Sequence, residues 1–131
     1  MKAKQSQENL TAENKRIVTE FYREFYVNQK LNVASKYLSE NIKQHRPNIA
    51  DGSKAAIDEY VEYVKDHKDH KEDIKRVIAE GDLVAVHCAA IDGPETVAVV
   101  DIYRVENGKI VEHWDVCQPV PAKSANKNTM F

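Results

Sequence analysis

Two acids stand where acids are unusual. Asp101 interrupts the run Val97-Ala98-Val99-Val100-Asp101-Ile102-Tyr103, and Asp115 sits within Val111-Glu112-His113-Trp114-Asp115-Val116-Cys117. A carboxylate among such neighbours is costly to bury ionised, so each must pair, reach water or take up a proton. If the second segment is a strand, alternation puts His113, Asp115 and Cys117 on one face and Glu112, Trp114 and Val116 on the other. Two carboxyls and an imidazole converging on one ligand form a general acid and base, the apparatus that moves a proton at carbon. The competing reading ties Asp101 and Asp115 into salt bridges with Arg104, Lys109 or Arg76 at a sheet edge.

Convergence depends on a hairpin. Asn107-Gly108 between two apolar runs is a strong turn signal, because both residues tolerate positive φ. A strict two-residue turn sets Asp101 opposite Trp114, whereas one extra bulged residue sets it opposite His113 and brings Asp101, His113 and Asp115 onto one face. The sequence leaves both registers open.

Other candidates surround this group. His87 breaks the apolar run Leu83 to Ile91, where an imidazole needs a hydrogen-bond partner. It is either a stabiliser of enolate oxygen beside Asp101 or a core histidine satisfied by backbone. His45 stands where a loop can place it over a pocket mouth. The expected catalytic set is therefore Asp115, Asp101 and His87, and the expected substrate-binding set is His45, His113, Trp114, Gln118 and Tyr22. His67-Lys68-Asp69-His70, among Lys65, Asp66 and Lys71, reads as a solvated turn rather than a metal site. A Gly-rich phosphate loop, a Cys pair at metal spacing and a Gly-x-Ser-x-Gly elbow are all missing from the sequence, so the expected chemistry uses no cofactor and no metal.

The elements that must position these residues follow from periodicity. After a frayed start over residues 1–10, Thr11 can cap a helix of about five turns, whose stripe is Ile17, Val18, Phe21, Tyr22, Phe25 and Tyr26. A short helix from Asn32 to Leu38 is broken by Ser39-Glu40-Asn41, Ile42 to Asn48 is extended around Pro47, and a third helix runs from about Lys54 to Lys65. Beyond Asp73 the period changes to that of strands, in an antiparallel meander: Ile74 to Ala79, Leu83 to Ile91 (apolar enough to be buried on both faces), Thr96 to Val105 and Ile110 to Cys117. Residues 118–131 form a tail too rich in Pro, Ser, Asn and Lys to continue the sheet. Helices followed by a meander argue for one α+β domain over residues 1–131, with the helices packed on one side of a sheet whose curl leaves a hollow.

Composition narrows the partners. The chain has 131 residues, 42% of them hydrophobic, and a formal net charge of −2 from 19 basic and 21 acidic residues. That charge provides no field for nucleic acid or an anionic membrane, and no apolar run approaches the roughly 20 residues of a membrane span. The polar start lacks the apolar run of a secretion signal, and the two cysteines, Cys88 and Cys117, lie in apolar segments. A reducing cytoplasm is the expected setting and a small organic molecule the expected partner.

The order of elements, with Gln44-His45-Arg46-Pro47-Asn48-Ile49-Ala50-Asp51-Gly52 and the run from Val100 to Val116, resembles the SnoaL-like polyketide cyclases of the nuclear transport factor 2-like superfamily. The likeness spans Thr11 to Phe131, and the ending from Gln118 is similar to a subgroup described as aldol-condensation enzymes. The resemblance implies a cone of curved antiparallel sheet closed by the N-terminal helices, often as a homodimer. It also implies an acid/base Asp on the last strand, the position of Asp115. The cyclases carry His where this chain has Asp101. Asp101 instead resembles the acid of ketosteroid isomerases, held protonated by an apolar site so that it donates to an oxyanion. No Asp nearer the N-terminus matches the isomerase base. The activity so implied is proton transfer next to a carbonyl, in aldol condensation, cyclisation or isomerisation. The alternative is a non-catalytic binding protein for a small hydrophobic metabolite.

Overall fold

The computed structural model describes residues 2–131, apart from the side chain of Lys2. Helix α1 runs from Lys2 to Phe21 and continues as a π-helical segment, Tyr22–Val27. The residues before Thr11 are helical rather than frayed, because Lys, Ala, Gln and Glu propagate a helix and no Gly or Pro interrupts them. Thr11 is not a cap; its hydroxyl donates to the Gln7 carbonyl one turn back (2.9 Å). In the π-helical segment the backbone widens, and the Tyr60 hydroxyl donates to the freed Tyr26 carbonyl (3.2 Å).

A single turn of helix, α2 (Ala34–Tyr37), leads directly into strand β1 (Leu38–Gln44). Ser39-Glu40-Asn41, expected as a break, is thus strand. Helix α3 (Ser53–Asp66) precedes β2 (Lys71–Glu80), β3 (Leu83–Asp92), β4 (Glu95–Glu106) and β5 (Lys109–Pro119). Strands β2 to β5 form the expected antiparallel meander, and β1 adds a fifth strand parallel to β5, giving a mixed, open sheet in the order β1-β5-β4-β3-β2. Among the described residues no helix is long and apolar enough to cross a membrane.

The helices cover one face of this sheet. Val18, Phe21, Tyr22 and Phe25 from the first helical element meet Val84, Val86, Val105 and Ile110 from the strands, all nearly inaccessible. Each such side chain contributes on the order of 1.5–3 kcal/mol when fully buried. The opposite face is open: Ile78 is 63% and Val116 68% exposed. β3 is accordingly buried on its helix-facing side, at Val84, Val86 and Cys88, and only partly covered on the other at Ala85 and His87.

The β4–β5 register differs from both that the sequence left open. Asn107 (φ 51°) and Gly108 (φ 77°) make the two-residue turn, and Glu106 pairs with Lys109 and Val105 with Ile110. Arg104 then pairs with Glu112, so Val111 is an extra residue in β5 and the ladder shifts by one. Asp101 consequently lies opposite Asp115 and Tyr103 opposite His113.

Candidate active site

The hollow between sheet and helices is a cavity of about 250 Å³. Its walls are Phe21, Tyr22 and Tyr26 from the first helical element, α3 residues including Tyr60 and Tyr63, and the inner rows of β1 to β5. Directly paired antiparallel residues project to the same face, so Asp101, Tyr103, His113 and Asp115 all enter it. The carboxyl and imidazole donor atoms of Asp101, His113 and Asp115 lie within 4.8 Å of one another. All three side chains are nearly closed to solvent, at 10, 7 and 7% exposure.

Hydrogen bonding fixes much of the protonation. The Arg46 backbone N–H donates to Gln44 Oε1 (3.1 Å), which identifies that atom as the amide oxygen. His113 Nδ1, 2.7 Å from the same oxygen, must then carry a proton. His113 Nε2 lies 2.7 Å from Asp101 Oδ1, so one further proton sits between imidazole and carboxyl, on one or the other. The Tyr22 hydroxyl donates to Asp101 Oδ2 (2.9 Å), and the Tyr103 ring stacks on His113 at 4.8 Å. The Tyr103 hydroxyl is buried without a partner among the described residues. Burial and the negative charge of Asp101 push both phenols well above their ordinary pKa, so they are donors at any physiological pH.

Asp115 is held differently. Its Oδ2 faces the Arg46 guanidinium at 3.6 Å and accepts weakly from the Cys117 thiol at 3.8 Å. Burial opposes the Arg46 charge, but Asp115, together with smaller contributions from Glu59, Cys117 and Tyr26, outweighs it and raises the guanidinium pKa. Burial, followed by Asp115, pushes the Cys117 thiol up to about 11. The site therefore joins a carboxylate paired with a cation to a carboxyl that shares a proton with a histidine.

A second cluster lines the far side of the cavity. His70 Nδ1 is 2.8 Å from Asp92 Oδ1 and Nε2 is 2.8 Å from Glu72 Oε1, while the Tyr63 hydroxyl donates to Asp92 and the Cys88 thiol to Glu72 (3.2 Å). Burial works against a charged His70, but the two carboxylates outweigh it and raise its pKa. His70 is thus a buried member of an ionic cluster, not part of a solvated turn; His67, stacked on Tyr63 at 4.0 Å, is the exposed one.

Of the residues expected from sequence, Asp101, Asp115, His113 and Tyr22 come together in the cavity. His87, His45, Trp114 and Gln118 do not. His87 projects from the other face of β3, where Nδ1 meets Arg76 and the ring lies 5.6 Å from Phe131 of the tail. His45 stacks flat on Trp114 (4.7 Å, 6°) and bonds Glu112 at 2.6 Å, all on the outer face of β5. Alternation past Gln44 sends His45 outward and Arg46 inward. Gln118 is exposed on that outer side. The sequence reading missed Tyr103, although its place two residues after Asp101 on the same strand was a usable signal; Gln44, Tyr26, Glu72 and His70 had no signal beyond their type.

A one-sided cover of helices over an open, curved mixed sheet, with acids in the enclosed hollow, defines the nuclear transport factor 2-like α+β class. Within it, the family model for SnoaL-like polyketide cyclase matches residues 16–125, and the chain belongs to that family. Among solved structures it is similar to AclR from Streptomyces galilaeus, a proposed hydroxylase, with 22% identity, TM-score 0.70 and coverage of 82% of this chain and 90% of that one. IdmH from Streptomyces antibioticus, a proposed polyketide cyclase, has 17% identity, TM-score 0.67 and coverage of 79% and 91%. A proposed ketosteroid isomerase from Kribbella flavida has 16% identity, TM-score 0.69 and coverage of 90% and 85%. Among curated proteins, none matches the chain in sequence.

Proposed function

We propose that the chain catalyses proton transfer at carbon next to a carbonyl, within the aldol, cyclisation and isomerisation group of reactions. The observation that carries this reading is the pairing of Asp101 with Asp115 in one hollow, under different partners. Asp115, paired with the Arg46 guanidinium, is the base that takes the C–H proton. The electron pair moves to the carbonyl oxygen, where the proton shared by Asp101 and His113 and the free Tyr103 hydroxyl meet the developing charge. Gln44 holds the His113 tautomer, and Tyr22 orients Asp101. Acid and base both come from side chains, so this chemistry asks for no cofactor. The relatives' names, a polyketide cyclase and a ketosteroid isomerase, support the reaction class.

The test is exchange of α-protons for deuterium in a panel of small ketones, followed by NMR in heavy water. Enzyme-dependent exchange that Asp115→Asn abolishes supports the proposal; exchange of no ketone, or exchange undiminished by D115N, leaves the cavity as a binding site for a small hydrophobic metabolite.

We further propose that the outer sheet face, with Ile78, Trp114 and Val116, mates with a second copy of the chain. Val116→Glu should then shift a dimer to monomer in sedimentation, whereas a wild-type monomer refutes the pairing.

A further inference from the structure

The cavity is lined by the carboxyls of Glu59, Glu72, Asp92, Asp101 and Asp115 against one guanidinium, Arg46, and two imidazoles, His70 and His113. Hydrogen-bond geometry fixes how much of that charge is cancelled. Asp101 and His113 share one proton beyond the Nδ1–H given to Gln44, so the pair is neutral wherever that proton sits. Arg46 offsets Asp115. Both nitrogens of His70 face carboxylate oxygens at 2.8 Å, and each contact needs a proton. Two protons among Glu72, His70 and Asp92 leave one net negative charge, whether the imidazole or an acid holds the second. Glu59 adds another on α3, and among the described residues no lysine lines the walls.

The walls beside that charge are aromatic. Tyr26 and Tyr60 meet edge to face at 4.7 Å, and the rings of Tyr60 and Tyr63 stand edge-on to His70 at 6.3 and 5.1 Å. Burial first, then neighbouring carboxylates, raise the phenols of Tyr26, Tyr60 and Tyr63, so these rings remain neutral. Ring faces attract cations, and an acidic pocket with largely buried walls strengthens that attraction by lowering the local dielectric. A separate observation points to an occupant: the Tyr103 hydroxyl, on a residue only 2% exposed, lines the same cavity near the Tyr26 phenol but with no partner in hydrogen-bonding geometry among the described residues.

We propose that the cavity takes an organic cation, a carbonyl compound bearing a protonated amine or quaternary ammonium group, with the cation against Glu72 and the Tyr26 and Tyr60 rings and the carbonyl toward Tyr103, Asp101 and Asp115. The carbonyl half rests on the proton-transfer reading above; the cationic half stands on charge and ring placement alone. A carboxylate or phosphate substrate meets a cavity of its own sign and is excluded.

The test is calorimetric titration of the full chain with phenacyltrimethylammonium and with its neutral isostere, in which tert-butyl replaces trimethylammonium. The cation should bind at least about tenfold tighter, equivalent to about 1.4 kcal/mol. Glu72→Gln, which keeps an oxygen to accept from His70, should reduce that preference to roughly threefold or less, and so should Tyr60→Leu by an independent route. Equal or tighter binding of the neutral ketone, binding of neither, or a preference that survives both E72Q and Y60L overturns the proposal. Absence of α-proton exchange in the wild-type chain, with the cation preference present, overturns the catalytic reading and not this one.

Discussion

Asp101 lies directly across the β4–β5 ladder from Asp115, so two carboxyls enter one hollow from neighbouring strands, yet they keep different company. Asp101 is bonded by Tyr22 and His113, whereas Asp115 faces Arg46. Unequal partners separate the roles of an acid and a base that would otherwise compete for one proton.

Asp115→Asn removes the base while keeping the shape. The rate of α-proton exchange should fall by about 10²–10⁴-fold, the ordinary contribution of general base catalysis, with circular dichroism and melting temperature nearly unchanged. A loss of less than about tenfold would assign abstraction to another group.

The histidine tautomer is directly observable. Nitrogen-15 NMR should report His113 Nδ1 as protonated, and Gln44→Leu should remove that preference by deleting the acceptor. Exchange activity should fall with it by about tenfold, less than for D115N, because Gln44 acts through the imidazole rather than on the ligand. A wild-type spectrum with the proton on Nε2 alone contradicts the bonding derived from the Arg46 N–H.

Tyr103→Phe separates activity from stability. The hydroxyl is buried with no partner, a condition that costs about 1–3 kcal/mol, so its deletion should leave stability unchanged or raise it by about 1 kcal/mol in urea unfolding. Exchange should nevertheless drop about tenfold or more, as a donor to the developing oxyanion is lost. Marked destabilisation would mean the hydroxyl is bonded in the folded chain.

His70 predicts a pH dependence with a definite sign. Burial disfavours its charge, but Glu72 and Asp92 overcome this and hold the folded pKa above the ordinary value of about 6.5. The stabilisation is complete below that ordinary value and disappears as pH rises through the folded one. Urea midpoints should therefore decline from about pH 6.5 upward, and His70→Gln should be less stable and flatter across that range. A wild-type midpoint that is flat or rises over that interval contradicts the cluster.

Some of this was legible in the sequence and some was not, for physical reasons. The acids at Asp101 and Asp115 announced themselves by breaking apolar runs, and the Asn107-Gly108 turn by its tolerance of positive φ. The register did not, because nothing in Ile110-Val111-Glu112 marks Val111 as the bulged residue; only the pairing of Arg104 with Glu112 (2.9 Å between side chains) reveals it. Ser39-Glu40-Asn41 looked like a break because its propensity is poor, but the edge it fills beside β5 overrides propensity. His45 and Trp114 attracted attention as chemical types and turned out to stack on each other on the outer face. His70 was hidden by the lysines around it, since a charged neighbourhood in sequence says little about which side chain turns inward.

The widened helical segment Tyr22–Val27 has a consequence for how tolerant the chain is to length changes. An α-helix closes its hydrogen-bonded turn at the fourth residue and a π-helix at the fifth, so deleting one residue there would restore α geometry and change which side chains of the segment share a face. Tyr22, on the near side of such a deletion at Arg23, would lose its line to Asp101, and Tyr26 its place beside it. The helix therefore behaves as a vernier whose single slipped notch sets two tyrosines on one bearing.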